Sequence, residues 1–221
     1  MASTYRIISA DSHVNPPPSI YPERVSAEFR ERAPRVERRG DEEVQVFEGK
    51  EQAPTMLASV AGKKYEDYKA QAKTFEEGRQ GGWDPHARIK DMDVDGVDAE
   101  VLYGSGYGGG ITLQTADRPL RFALMKAYND WLADFCKAYP DRLVGIAEIP
   151  HWDLDLAMGE ARRARKLDLR GVLIPAIPAM DGPDSDPNDR PYTDPWYDPL
   201  WDLLEELDLP AHMHLGARPI T

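Results

Sequence analysis

Leu143-Val144-Gly145-Ile146-Ala147-Glu148-Ile149 is an apolar run closed by Pro150, and Gly171-Val172-Leu173-Ile174 is a second, closed by Pro175. Between them Asp153 to Leu167 reads as a helix, with Asp153 placed to cap its first turn. Strand, helix and strand in succession make a βαβ unit, and that unit decides the fold class. The same rhythm continues on both sides. Upstream, His86 to Asp95 reads as a helix with Asp84 as its N-cap and Pro85 at its first position, ended by Gly96. Val97 to Tyr103 reads as a strand, and Asp117 to Tyr139 as a long amphipathic helix stopped by Pro140. Downstream, Pro195 to Leu207 is a helix with Trp196, Leu200, Leu203, Leu204 and Leu207 on its apolar side, and Ala211 to Leu215 is a strand. Near the start, Arg6 to Ala10 supplies one more strand. The strands lack clean two-residue alternation, as expected when both faces are covered. Alternating strands and helices predict a parallel sheet, either a (β/α)8 barrel or a doubly wound open sheet. Both place their chemistry at the carboxyl ends of the strands.

One stretch, roughly residues 15–85, stands outside this rhythm. It opens with Pro16-Pro17-Pro18 and carries many charges. Tyr21 to Arg39 and Ala58 to Gly78 have helical periodicity, which predicts short helices. The aromatics Tyr21, Phe29, Phe47, Tyr65, Tyr68 and Phe75 predict partial burial. An insertion of this length after a first strand is expected to form a lid or a dimer arm. The chain as a whole, residues 1–221, is expected to form one domain interrupted by this insertion.

The bulk composition narrows the function. The formal net charge is −12, from 27 basic and 39 acidic side chains. That argues against nucleic acid or an anionic membrane as a partner, because both require clustered Lys and Arg. No apolar run approaches the ~20 residues of a membrane span. The N-terminus lacks the basic and apolar regions of a secretion signal. Cys136 is the one cysteine, which rules out an internal disulfide and fits a reducing cytoplasm. Its setting in the Trp131–Cys136 helix predicts a buried structural thiol.

Two motifs carry chemistry. Asp11-Ser12-His13 follows the first strand, and His212-Met213-His214 lies on the last. Side chains two apart on a strand share a face, so Asp11 and His13 can converge, and so can His212 and His214. Carboxylate oxygen with imidazole nitrogen is the donor set of a catalytic divalent metal with open positions.

Ala10-Asp11-Ser12-His13-Val14-Asn15-Pro16-Pro17 resembles the opening of the amidohydrolase superfamily, in particular the amidohydrolase-related branch that includes the aminocarboxymuconate-semialdehyde decarboxylase group. Four further stretches match in order: Ile89 to Asp98, Tyr139 to Leu143, Arg170 to Pro175 and Leu209 to His214. The resemblance implies a distorted (β/α)8 barrel, of which about five βα units lie in this sequence, with one catalytic metal, Zn²⁺ or Mn²⁺. Strand one of that family carries a ligand pair, most often His-x-His, which falls here on Asp11 and His13. The decarboxylases often have a carboxylate at the first of these positions. Strand five supplies a further histidine, which falls on His214. The family's last ligand, an Asp on strand eight, and further groups from strand six have no counterpart before Thr221. The chain is therefore expected to be a portion of a longer protein. The other readings are half of a split barrel, completed by a second copy or another chain, and an open sheet in its own right. A homo-oligomer or a completing chain is expected as partner.

The remaining candidates divide more simply. His151 follows the third barrel strand in Ile149-Pro150-His151-Trp152, at a strand end that faces the pocket. With His214 it is a candidate catalytic residue, in contact with a small-molecule carboxylate substrate; the alternative for His151 is a surface histidine. His212 is expected to be a satisfied core histidine or to support a ligand, and His86, at a helix start, to be structural. Gly104 to Gly109 has the spacing of a dinucleotide fingerprint, but Gly110-Ile111-Thr112 delays the helix that the fingerprint needs. It reads as a loop at the pocket mouth. The acidic loop Asp181 to Asp194 lacks calcium-loop spacing and reads as solvated surface. No GxSxG motif is present, and Ser12 points away from His13, which excludes a serine hydrolase of that type. Strand four ends at Ile174-Pro175 without the lysine that bridges two-metal sites, which favours a single ion. The expected activity is decarboxylation of a small aromatic or unsaturated carboxylic acid. The alternatives are metal-dependent hydrolysis of a lactone, ester or amide, and an inactive fragment or half-barrel.

Overall fold

The structure, a computed structural model, describes residues 6–54, 61, 62, 64, 74–104, 112, 115–178 and 190–214. Five parallel strands form its main sheet: β1 (Ile8–Val14), β5 (Ala99–Gly104), β6 (Leu143–Glu148), β7 (Gly171–Pro175) and β8 (Ala211–His214), paired in the order β1-β5-β6-β7-β8. The helices that return the chain are α3 (Pro85–Asp95), α4 (Arg118–Lys137), α5 (Leu154–Lys166) and α6 (Asp198–Glu206). At the ~4.8 Å spacing of neighbouring strands, a flat sheet would hold its two edge strands about 19 Å apart. Yet Asp11 on β1 and His214 on β8 come within 3.3 Å. The sheet is therefore curled into half a barrel, and the inside of the curl faces the ends of both edge strands.

Local chemistry sets the helix starts. Asp84 accepts from the amides of His86 and Ala87, Asp117 from Leu120, and Asp153 from Leu156. Each cap satisfies amides that have no partner within the helix. Gly96 ends α3 in the left-handed conformation at φ 72°, which glycine enters without a Cβ clash. Pro195 begins a 3-10 turn (Pro195–Tyr197) that leads into α6, so the single helix expected from Pro195 divides there.

α4 is the principal packing element. Leu120, Leu124, Leu132 and Tyr128 are fully buried against Leu102 and Leu143 of the sheet and against Ile20 and Tyr21. A second cluster joins Ala157 and Ala161 of α5 to Leu200, Leu203 and Leu204 of α6 over Val172 and Ile174. Burying each such leucine contributes roughly 2 kcal/mol.

The stretch between β1 and α3 differs from expectation. α1 (Ile20–Arg24) and α2 (Ala27–Arg30) are helical, but Arg35–Arg39, expected to continue a helix, is β2. With β3 (Glu42–Phe47) and β4 (Lys50–Pro54) it forms a three-stranded antiparallel sheet. The turns explain it. Gly40, and the pair Glu48-Gly49, lie at positive φ, as short hairpin loops require. Phe47 and Ala33 join the main core, and Arg32 donates to both Asp117 and Glu48, which ties this small sheet to the start of α4. Most of the helix expected over Ala58 to Gly78 lies outside the described residues, as do the run Ser105–Gly110 and the loop 179–189. Among the described residues, no helix is long and apolar enough to cross a membrane.

Candidate metal centre

β1 runs to Val14, four residues beyond the Ala10 end expected from the sequence, so Asp11 and His13 lie within the strand. A bulge makes this possible. Ser9 pairs with Glu100 and Ser12 with Leu102, so three residues of β1 advance against two of β5. Such a bulge re-aims one side chain relative to the ladder. The hydroxyls of Ser9 and Ser12 bond to each other across it at 2.8 Å. Ser12 is thereby occupied, and His13, opposite Tyr103 in the register, turns to the inside of the curl.

The inside of the curl gathers three donors from the two edges. Oδ1 of Asp11 lies 3.2 Å from Nε2 of His13 and 3.3 Å from Nε2 of His214. The ligand atoms of the three residues all lie within 4.8 Å of one another. The two imidazoles stand edge to face, with centroids 5.2 Å apart and planes at 86°. Nδ1 of His13 lies 3.0 Å from the carbonyl of Gly104, an acceptor only, so that nitrogen carries the proton and donates. The Nε2 lone pair of His13 is then free to bind a cation. A histidine ligand fixed in this way by its other nitrogen is the usual arrangement at metal sites. Side chains of Asp11 and His13 are exposed to solvent by 67% and 39%, so the cluster is open, as a catalytic site with free coordination positions requires.

A polar layer supports the donors. Arg88 of α3 donates from Nε to Glu100 at 2.5 Å and from Nη1 to the backbone carbonyl of His13 at 3.1 Å. Asp98 accepts from the amides of Arg6 and Ile7, and these bonds hold its carboxyl below the usual range. Tyr103 lies beneath the cluster, its ring near those of His13, His212 and His214. Burial, and secondarily the Asp11 carboxylate, raise its hydroxyl pKa.

The other predicted histidines take separate places. His212 is hydrogen bonded through Nδ1 to the Tyr103 hydroxyl at 2.7 Å, and burial lowers its pKa. His151 is not brought to the three-donor cluster. It is 4% exposed and packs edge-on against Trp152, whose ring also faces the guanidinium of Arg121 at 4.4 Å. His86 bonds through Nδ1 to the hydroxyl of Tyr139. Sequence reasoning passed over Tyr103 and Arg88. For Tyr103 a signal existed, since it falls on the last positions of an inner strand. For Arg88 there was none, because the His13 carbonyl that it reaches lies 75 positions away.

A curled parallel half-barrel with carboxylate and imidazole side chains gathered at the carboxyl ends of its strands defines a class, the (β/α)8-type barrels, which build their sites at those ends. The chain belongs to the amidohydrolase family, whose profile matches residues 10–221. No curated protein matches the chain at the sequence level. Among solved structures it is similar to an amidohydrolase from Mycobacterium avium subsp. paratuberculosis K-10, at 17% identity and a TM-score of 0.72, covering 97% of this chain and 60% of that one. It is also similar to 5-carboxyvanillate decarboxylase from Novosphingobium aromaticivorans, solved with manganese and 4-hydroxy-3-methoxy-5-nitrobenzoic acid. There the identity is 22% and the TM-score 0.57, covering 97% of this chain and 51% of that one. A third is 4-oxalomesaconate hydratase from Rhodopseudomonas palustris, at 16% identity and a TM-score of 0.54, covering 96% and 52%. These likenesses bear out the (β/α)8-type fold, and the chain spans 51–60% of the length of these three proteins.

Proposed function

We propose that Asp11, His13 and His214 hold one divalent cation and that the site serves decarboxylation of a small aromatic or unsaturated carboxylic acid. The observation that carries this reading is the position of one Asp11 oxygen between the Nε2 atoms of His13 and His214. Two imidazole nitrogens and a carboxylate oxygen suit Zn²⁺ or Mn²⁺. The manganese in the solved decarboxylase favours Mn²⁺. A cation so held supplies positive charge that binds and orients a substrate carboxylate. The chain's own residues hold the donors in place and leave the cluster open to an incoming anion. Decarboxylation exchanges the carboxylate for a proton on carbon and releases CO₂. His151, buried beside Trp152 just beyond the end of β6, stays the candidate for substrate contact outside the three-donor cluster.

A second reading, hydrolysis of a lactone, ester or amide, is favoured by the solvent exposure of the Asp11 side chain, which admits water to the cluster. The two separate by experiment. Purified chain is equilibrated with Mn²⁺ or Zn²⁺, freed of unbound metal and analysed for metal content beside Asp11→Ala and His13→Ala. One ion per chain, lost in both variants, is expected. Unchanged metal content in both variants refutes the site. The loaded chain is then incubated with hydroxylated benzoates while CO₂ is measured. Hydrolysis of lactones without CO₂ release gives the case to the second reading.

A further inference from the structure

The metal-site assignment leaves one polar pair unused, the bond between Tyr103 and His212. β5 and β8 are separated in the sheet by β6 and β7, so this 2.7 Å bond crosses the inside of the curl. Its ends sit beside both ligand strands. Tyr103 stands opposite His13 in the β1–β5 register, and its ring centroid lies 5.5 Å from that of His214. The next residue, Gly104, provides the carbonyl that accepts from His13. Residues 103 and 104 therefore grip the two ligand-bearing edges together, one through a hydroxyl and one through a backbone carbonyl.

The far side of the His212 ring is fitted just as closely. A Cβ on Gly171 would lie 2.7 Å from its Nε2 and 2.8 Å from its Cδ2. Gly171 is not at positive φ, so its backbone does not require glycine. The space taken by the His212 ring does, together with the Pro210 carbonyl oxygen at 3.0 Å. Resting on the metal-site reading above, we infer that Tyr103 and His212, with the ring seated on Gly171, are positioning residues that set His13 and His214 at the spacing a shared cation needs. Neither is itself a ligand. Tyr103 holds His212, and His212 fixes the strand on which His214 lies two residues on.

The test uses Mn²⁺ and Co²⁺ as probes on the whole chain, comparing the parent with Asp11→Ala, Tyr103→Phe, Gly171→Ala and the double variant of the last two. Titration calorimetry gives the Mn²⁺ affinity, and visible absorption of the Co²⁺ form reports donor geometry. The parent is expected to bind one Mn²⁺ and Asp11→Ala none. Tyr103→Phe and Gly171→Ala are each expected to weaken binding about tenfold. The double variant should be no weaker than about the worse single one, since both break the same device. The Co²⁺ bands should change in both single variants. Tyr103→Phe removes one oxygen and keeps the ring, so it decides the matter if Gly171→Ala fails to fold. Parent-like Mn²⁺ affinity and Co²⁺ bands in Tyr103→Phe, with binding lost in Asp11→Ala, overturn this inference and leave the site standing. A parent that binds no Mn²⁺, or an Asp11→Ala that still binds it, overturns both.

Discussion

The inner strands and the edge strands of the sheet follow different rules. In β6 and β7, Leu143, Ile146, Ala147, Val172 and Ile174 are buried, and helices cover their outer faces. The edge strands are exposed along much of their length, with Ile8 on β1 at 53% and Met213 on β8 at 55%. All three candidate metal donors lie on the edges. The inner region is held by non-directional apolar packing. Beyond their backbone ladders to β5 and β7, the edges are held by single polar grips: Ser9 on Ser12, Arg88 on the His13 carbonyl, Gly104 on the His13 ring and Tyr103 on His212. A metal site needs donors fixed in direction, and hydrogen bonds fix direction where packing does not. The comparison predicts that the inner region carries stability and the edges carry affinity.

The largest expected effect concerns Cys136, which belongs wholly to the inner region. Burial pushes its thiol pKa up to about 12, against a smaller opposing pull from a backbone bond with Gly145. Relative to an ordinary thiol near 8.5, its thiolate fraction at pH 8 falls by about a thousandfold or more. Alkylation by iodoacetamide in the folded chain should slow to match, and should become fast in denaturant. The sign of the pH dependence follows from the raised value. The buried neutral thiol contributes its full stability below about pH 8.5, and that contribution is lost as pH rises towards 12. Fast native labelling, read by mass spectrometry, would show that the inner region is not sealed and would break the contrast.

Next in size is Leu132→Ala, in the middle of α4 with no exposed surface. Truncation removes transfer energy and leaves a cavity, at a cost of about 3 kcal/mol in urea unfolding. Mn²⁺ affinity of the chain that remains folded should stay at the parent level. A large loss of affinity in fully folded Leu132→Ala would mean that packing, rather than polar grips, sets the donors.

The inner region was legible in the sequence because its causes are local. Asp84, Asp117 and Asp153 announce three helix starts, Gly96 announces a helix end, and the leucines of α6 repeat at helical spacing. The convergence of the candidate donors Asp11, His13 and His214 on one point was legible through their spacing and through the family likeness. The grips on them were not, because a strand bulge and a bond across the curl depend on residues about ninety or more positions away, as with His13 and Gly104. The small antiparallel sheet was missed for another reason. Arg35 to Arg39 is charged at four of its five positions, and its helical periodicity hides the hairpin turns that Gly40 and Glu48-Gly49 make at positive φ.

Arg88→Met probes the boundary between the two regions. The guanidinium is largely buried with Glu100 and reaches the His13 carbonyl. Its removal strands a nearly buried carboxylate, which should cost about 2 kcal/mol. Adding Glu100→Gln should recover part of that stability, since no charge is then left without its partner. The recovered stability should not bring back Mn²⁺ affinity, because the His13 carbonyl remains without its donor. Recovery of both together would mean that Arg88 acts on the site only through global stability.

The smallest effect is expected at Asp98, where an exposed carboxylate holds the entry to β1 by accepting from the amides of Arg6 and Ile7. Those two bonds are the main reasons its pKa is lowered. A lowered carboxyl contributes above the ordinary aspartate value near 3.9 and ceases to contribute as pH falls through its folded value. Asp98→Ala should therefore leave the unfolding midpoint at pH 7 almost unmoved while the amides of Arg6 and Ile7 exchange with solvent faster. Once pH has fallen below the lowered folded value of the carboxyl, the variant and the parent should exchange alike, because the parent has then lost the same grip. The check is residue-resolved hydrogen exchange at both pH values. Equal exchange at pH 7 would show that β1 is seated by its pairing with β5 alone, and would remove Asp98 from the set of polar grips that define the edge.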